Sequence, residues 1–165
     1  ERTLPQEPTM SLQPDPPHLL IVYGDFYKEI AKEMVNGAAA AITAAGATFD
    51  VQPVPGVFEI PACIHLADIG SRRPAGRIYD GYVALGCVIR GETTHYDYVC
   101  GESARALMDM TTDEGLAIGY GILTVENEAQ AWARAKMSEK NKGGDAANAA
   151  LAMINLKRKL VQGFR

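Results

Sequence analysis

A chain of 165 residues, 47% of them hydrophobic, is long enough to bury one sizeable core and short enough to be a single domain. Its formal net charge of −4, with both signs interspersed, gives no reason to expect a nucleic-acid or other polyanionic partner, and no apolar stretch is long enough to span a bilayer. Three cysteines, Cys63, Cys87 and Cys100, match no zinc or redox spacing; they read as buried free thiols in a reducing cytoplasm, and no basic-then-apolar leader contradicts that compartment.

Residues 1–17 carry prolines at 5, 8, 14, 16 and 17 and few apolar side chains, so they read as an extended or disordered arm, leaving 18–165 as the domain. Met10 offers an alternative start, which would make residues 1–9 an upstream extension. "HLLIVYG" (18–24) predicts a short apolar strand. Residues 27–46 predict a helix, with Ile30, Met34, Ala38 and Ile42 along one stripe and Gly46 as its stop. A second strand follows over 47–56, then a short helix over 58–70 with Pro61 in its first turn, where a missing N–H costs nothing. "SRRPAGRI" (71–78) reads as a loop. Residues 79–89 form a strand without polar alternation, as when both faces are covered. Helix 94–112, strand 117–125 and helices 126–136 and 144–162 complete the chain. Strand and helix thus alternate four times. That predicts a four-stranded parallel sheet with right-handed helical crossovers, a three-layer α/β/α sandwich.

In such sheets ligands bind outside the carboxyl ends of the strands. Three of those ends carry unusual residues: "GDF" (24–26), "PGVFE" (55–59) and "IRGETTH" (89–95). Residues 86–93 almost fit the phosphate-binding pattern G-x-x-x-x-G-K-[ST], but Glu92 stands where the lysine must be, which rules against a nucleotide triphosphatase. A smaller anion still suits the turn. Gly91 lets backbone approach a ligand, and a helix beginning near Thr94 offers free N–H groups. Thr94-x-x-Asp97 resembles a capping box. His95 would open that helix, whose positive end disfavours a charged imidazole and so favours a ring able to accept a proton. His18 and His65 lack ligand spacing to His95, which argues against a metal site. Arg134, Lys136, Lys140 and Lys142 crowd a helix–helix junction, and Glu59 sits at a helix start; alone these read as a solvated basic loop and a helix-end charge.

Taken together, "PGVFEIP", "ALGCVIRGETTHYDYV", "GILTVENEAQAWARA" and "NKGGDAANAAL" resemble, in order and spacing, the lumazine synthase family of riboflavin biosynthesis, from about His18 to Lys159. The resemblance implies a flavodoxin-like fold. It also implies condensation of 5-amino-6-ribitylamino-uracil with 3,4-dihydroxy-2-butanone 4-phosphate, without metal or organic cofactor. Members assemble as pentamers, some as shells of twelve pentamers, with active sites between subunits. Carried onto this sequence, Phe26 would stack on the pyrimidine, Val57, Phe58 and Glu59 would hold the ribityl chain, and Val88 and Ile89 would meet the ring edge. Gly91, Glu92 and Thr93 would line the phosphate pocket and His95 would transfer protons. The adjacent subunit would supply Tyr120 beside the ring, Arg134 on the phosphate, oriented by an ion pair with Asp145, and Lys142 near the ring carbonyl. Asp25 stands where many members carry arginine, and Tyr120 replaces a commoner phenylalanine.

Overall fold

Four strands alternate with helices in the computed structural model, which describes residues 14–163. The strands are β1 (His18–Gly24), β2 (Thr48–Val54), β3 (Gly81–Ile89) and β4 (Ile118–Val125). The helices are α1 (Lys28–Ala44), α2 (Ile60–Ser71), α3 (His95–Glu114), α4 (Glu128–Ala135) and α5 (Lys142–Leu160), with a 3₁₀ turn, Val57–Glu59, leading into α2. Every strand pair is parallel and the order is β2-β1-β3-β4. The expected three-layer α/β/α architecture is therefore present, and each expected element lies within a few residues of its predicted bounds. The expectation of an extended arm falls mostly on residues 1–13, outside the described residues.

The strand pattern explains the layers. β1 and β3 occupy the centre, so both of their faces are covered. Leu19, Ile21, Val83 and Leu85 pack with α1, α4 and α5, around Met34, Ile42, Ala147 and Ile154. Leu20, Val22, Tyr82 and Ala84 pack with α2 and α3, around Ile60, Ile64 and Leu107. That double burial is why these strands read as unbroken apolar runs. β2 is an edge strand and mostly exposed. Gly46 takes φ 74° just beyond α1, the left-handed turn expected of its stop. Pro61 sits in the first turn of α2 as expected.

Two expectations are corrected. The Thr94–Asp97 capping box does not form. Thr94 precedes α3 with φ −73° and ψ −1°, a helical conformation rather than the extended one a capping side chain needs, and makes no side-chain cap bond. Instead Thr93 Oγ1 accepts from the His95 N–H at 3.4 Å, and the Asp97 carboxylate turns to Arg90. Of the three free cysteines only Cys87 is buried; Cys63 and Cys100 are half-buried because they lie on helix faces that only partly meet the sheet. Among the described residues no helix is long and apolar enough to cross a membrane.

Candidate active site

The chain leaves β1 towards β2 on one side and builds β3 and β4 on the other, so the carboxyl ends of β1 and β3 flank the point where the winding reverses. A cavity of about 400 Å³ opens there. The turn after β1 supplies Phe26, the 3₁₀ turn after β2 supplies Val57, Phe58 and Glu59, the end of β3 supplies Val88 and Ile89, and the start of α3 supplies His95. The three unusual strand ends thus converge on one opening.

The aromatic side chains at this opening are poorly covered. Phe26 is 74% exposed and Phe58 59% exposed, although each is large and apolar. Phe26 meets the Tyr27 ring edge-on, with ring centres 4.9 Å apart. Exposed aromatic rings at the mouth of a cavity leave apolar area for a flat ligand to cover. Asp25 does not add a free charge beside them: its carboxylate accepts from Lys28 Nζ at 2.7 Å, a bond that raises the lysine's pKa. At the cavity floor, burial pushes the Cys87 thiol up to about 12, with the Cys100 thiol adding to the shift, so Cys87 is a neutral surface and not a nucleophile.

Gly91, Glu92 and Thr93 do not line the cavity. They form an exposed turn between β3 and α3, beside His95. Within the described residues, the N–H groups of residues 91–94 donate to no protein acceptor. Several free N–H groups at a helix start are what an anion needs.

The remaining expected site residues lie elsewhere on the chain. Tyr120, Arg134, Lys142 and Asp145 line a second cavity of about 420 Å³ along the free edge of β4, between β4, α4 and α5. The two cavities share no residue. Burial raises the Tyr120 hydroxyl's pKa, with contributions from Cys100 and Tyr96, so it stays protonated and can donate. Arg134 Nη1 donates to the Gln130 carbonyl at 3.0 Å, one turn back on α4. The expected Arg134–Asp145 ion pair is not made. Asp145 pairs with Lys142 Nζ at 3.3 Å instead, because both stand in the first turn of α5 three residues apart.

Local structure explains how these cations are presented. Asn127 caps α4, its side chain accepting from the Gln130 N–H at 2.9 Å, and Asn141 caps α5 by accepting from the Gly144 N–H at 3.2 Å. The connection between the two helices is tied to α1 by the Met137 N–H, which donates to Glu33 Oε1 at 2.9 Å. α5 then lies close against α1 and β4. A Cβ at Gly143 would collide with the Met34 carbonyl and one at Gly119 with the Ala146 carbonyl, so only glycine permits either approach. The backbone of the basic junction is thus tied to α1, while Lys136, Lys140 and Lys142 stay exposed, as the reading of a solvated stretch expects.

Tyr27, Gly56, Cys87 and Val99 also line the first cavity and were not among the expected site residues. Val99 lies one helical turn beyond His95, a spacing that would have found it; Tyr27 and Cys87 leave no signal beyond adjacency to the motifs.

A family model described as 6,7-dimethyl-8-ribityllumazine synthase matches residues 16–158. The 6,7-dimethyl-8-ribityllumazine synthase 1 of Rhizobium meliloti (strain 1021) is 58% identical over 145 residues, 88% of this chain and 94% of its own length. The 6,7-dimethyl-8-ribityllumazine synthase of Agrobacterium fabrum is 58% identical over 144 residues, 87% of this chain and 97% of its own. That of Bartonella bacilliformis is 57% identical over 143 residues, covering 87% and 91%. Matches of this extent, on a chain whose motifs converge at the carboxyl ends of its strands, show that the chain belongs to the 6,7-dimethyl-8-ribityllumazine synthase family.

Proposed function

We propose that the chain catalyses its family's reaction at a site shared between two copies of itself. It is a transferase: it joins 5-amino-6-ribitylamino-uracil to 3,4-dihydroxy-2-butanone 4-phosphate, forms 6,7-dimethyl-8-ribityllumazine, and releases phosphate and water. The observation that carries the shared site is the separation of the two cavities. The aromatic and histidine half sits at the β1/β3 ends, and the cationic half sits on the β4 edge of the same chain. Placing the β4 edge of one subunit against the strand ends of its neighbour unites them, and the same contact repeated around a ring gives a closed homo-oligomer, which we read as a pentamer. Within that assembly residues 18–165 act as one synthase domain. Three free thiols suit a reducing compartment, and we read the chain as cytoplasmic.

In this reading Phe26 stacks on the pyrimidine, while Val88 and Ile89 meet its edge through the backbone. Val57, Phe58 and Glu59 hold the ribityl chain, Glu59 accepting from its hydroxyls. The free N–H groups around Gly91, Glu92 and Thr93 receive the phosphate together with the neighbour's Arg134, whose planar guanidinium can grip two oxygens. The neighbour's Lys142 lies near the ring carbonyl and its Tyr120 beside the ring.

The chemistry follows from that placement. The primary amine of the pyrimidine condenses with the butanone ketone and water leaves. Phosphate then departs by elimination, the resulting enol becomes a ketone, and the ribityl-bearing amine attacks that carbonyl and closes the second ring with loss of a second water. Each step moves a proton to or from nitrogen or carbon, and in this reading His95, which lines the cavity at the start of α3, carries it. Holding the two reactants together in one site removes much of the entropic barrier. The direct test is a steady-state assay with both substrates, following product fluorescence. Turnover that requires both substrates supports the reading; binding of the lumazine without turnover would make the chain a ligand-holding member of its fold instead.

A further inference from the structure

The turn of residues 91–95 carries the phosphate donors and the proton carrier, yet little inside it holds it in shape. Its five residues are exposed, and the only bond within it is the 3.4 Å contact from the His95 N–H to Thr93 Oγ1. The residues on either side are joined to each other. The Arg90 guanidinium lies over the Tyr96 ring, 4.2 Å from its centre, and Nη2 donates to Asp97 Oδ1 at 3.4 Å. Its Nε donates to Glu126 Oε1 at 3.3 Å, and its own N–H donates to the Val125 carbonyl at 2.9 Å. Glu126 is in turn fixed to α4, its N–H donating to Gln130 Oε1 at 2.8 Å.

We infer that Arg90 is a positioning residue for the phosphate half of the site: its side chain closes a clasp around residues 91–95 and ties that clasp to the end of β4. The inference rests on the assignment of this turn to the butanone phosphate. Arg90 is not itself a phosphate ligand, because its charge is already committed to two carboxylates and a ring face. Only arginine fills this place. A guanidinium offers separate N–H groups to two carboxylates and a flat face to the tyrosine at once, whereas an ammonium presents a point. Each contact is solvent-exposed and individually weak. Their joint effect is on geometry: with both flanks of the turn fixed, its N–H groups and the His95 ring keep one arrangement before substrate arrives.

The experiment is a kinetic comparison on the assembled enzyme of Arg90→Gln, Arg90→Lys, Asp97→Asn and Glu126→Gln, with both substrates varied. Arg105→Gln is the matched control: Arg105 also holds two carboxylates, Glu102 at 2.8 Å and Asp109 at 3.0 Å, on the same helix but away from the turn. Arg90→Gln is expected to raise KM for the butanone phosphate about tenfold, leaving KM for the pyrimidine within about twofold. Arg90→Lys should recover only part of the loss, and Asp97→Asn and Glu126→Gln should each move the same KM by less. The double variant Arg90→Gln/Asp97→Asn should be no worse than Arg90→Gln alone, since both break one clasp. Arg105→Gln should move neither KM. Wild-type kinetics in folded Arg90→Gln, or equal changes in both KM values, would overturn the clasp. If Arg90→Gln does not fold, Asp97→Asn and Glu126→Gln decide it, since they leave the arginine in place: an unmoved butanone phosphate KM in both contradicts the clasp. Arg134→Ala separates the two levels of the argument. If it raises the butanone phosphate KM while Arg90→Gln does not, the clasp alone is wrong; if neither does, the phosphate assignment falls with it.

Discussion

The two ends of the sheet use their polar groups in opposite ways. At the amino end, His18 opens β1 and every strong group around it has a partner. The His18 N–H donates to Asp80 Oδ2 at 2.8 Å, and its ring lies 2.6 Å from Thr48 Oγ1 and 3.1 Å from Asp50 Oδ2. The Tyr79 hydroxyl donates to the same Asp50 oxygen at 2.8 Å, Arg77 approaches it at 3.4 Å, and Arg158 of α5 reaches Asp80 at 3.6 Å. At the carboxyl end, two phenylalanine rings stand in solvent and a turn of N–H groups has no protein acceptor within the described residues. The amino end is a seam that joins β1, β2, α5 and the loop before β3. The carboxyl end pairs Arg90 and Asp25 within the chain but keeps the Phe26 and Phe58 rings and the N–H groups of residues 91–94 uncommitted, as a surface must if it is to bind something. Polar residues mark both ends in the sequence, so their mere presence does not locate a site; what separates the ends is whether the groups satisfy one another.

Substitutions at the two ends should therefore read out differently. The largest effect is expected at the cationic half. Arg134→Ala removes a charge-assisted contact worth about 1.5–3 kcal/mol, so KM for the butanone phosphate should rise on the order of ten- to a hundredfold while KM for the pyrimidine stays near wild type. Unchanged butanone phosphate kinetics would detach the β4-edge cavity from the reaction.

His95→Asn should lower kcat by about a hundredfold or less, because positioning survives the change and acid–base catalysis is typically worth about 10²–10⁴-fold. Asparagine keeps a polar group at the start of α3, so the fold should persist, and the part of the pH–rate profile belonging to the ring should disappear. A retained profile would show that another group or solvent moves the protons.

The smallest effect belongs to the amino end, and it should appear in stability and not in kinetics. The His18 ring and the Tyr79 hydroxyl hold the Asp50 carboxyl below the usual carboxylate range. The unfolded chain therefore takes up the proton first as pH falls, so the stability contributed by Asp50 is complete above the unfolded value of about 3.9 and is lost as pH drops through the lower folded value. Asp50 is partly exposed, so Asp50→Asn should cost less than about 1 kcal/mol near neutral pH, and the difference from wild type should shrink in acid unfolding curves. A change in either KM would contradict the division between the two ends.

What was legible in the sequence follows the same division between local and distant contacts. The strands and helices, the stop at Gly46 and the place of Pro61 depend on neighbours within a turn or two, and all were readable. The convergence of residues 24–26, 55–59 and 89–95 was also readable, since parallel winding alone brings those ends together. Side-chain pairing was not. Asp145 chose Lys142 over Arg134, and Asp97 chose Arg90 over a capping role, because the nearer cation or the observed backbone angle decided each case. The Arg90–Glu126 contact spans 36 positions and depends on β3 and β4 lying side by side in register, which no local pattern reports.

The central claim is that one working site needs two chains, and mixing two impaired variants, assayed at butanone phosphate well below their KM, tests it directly. Phe26→Ala disables the strand-end half and Arg134→Ala the β4-edge half, and the two residues line separate cavities on each chain. The two proteins are dissociated, mixed and reassembled, with mixed oligomers verified by mass. A shared site predicts that some interfaces receive the intact half of each chain, so activity should rise well above either reassembled parent and should depend on the mixing ratio. Verified mixed oligomers with no more activity than their parents would contradict a site built between subunits.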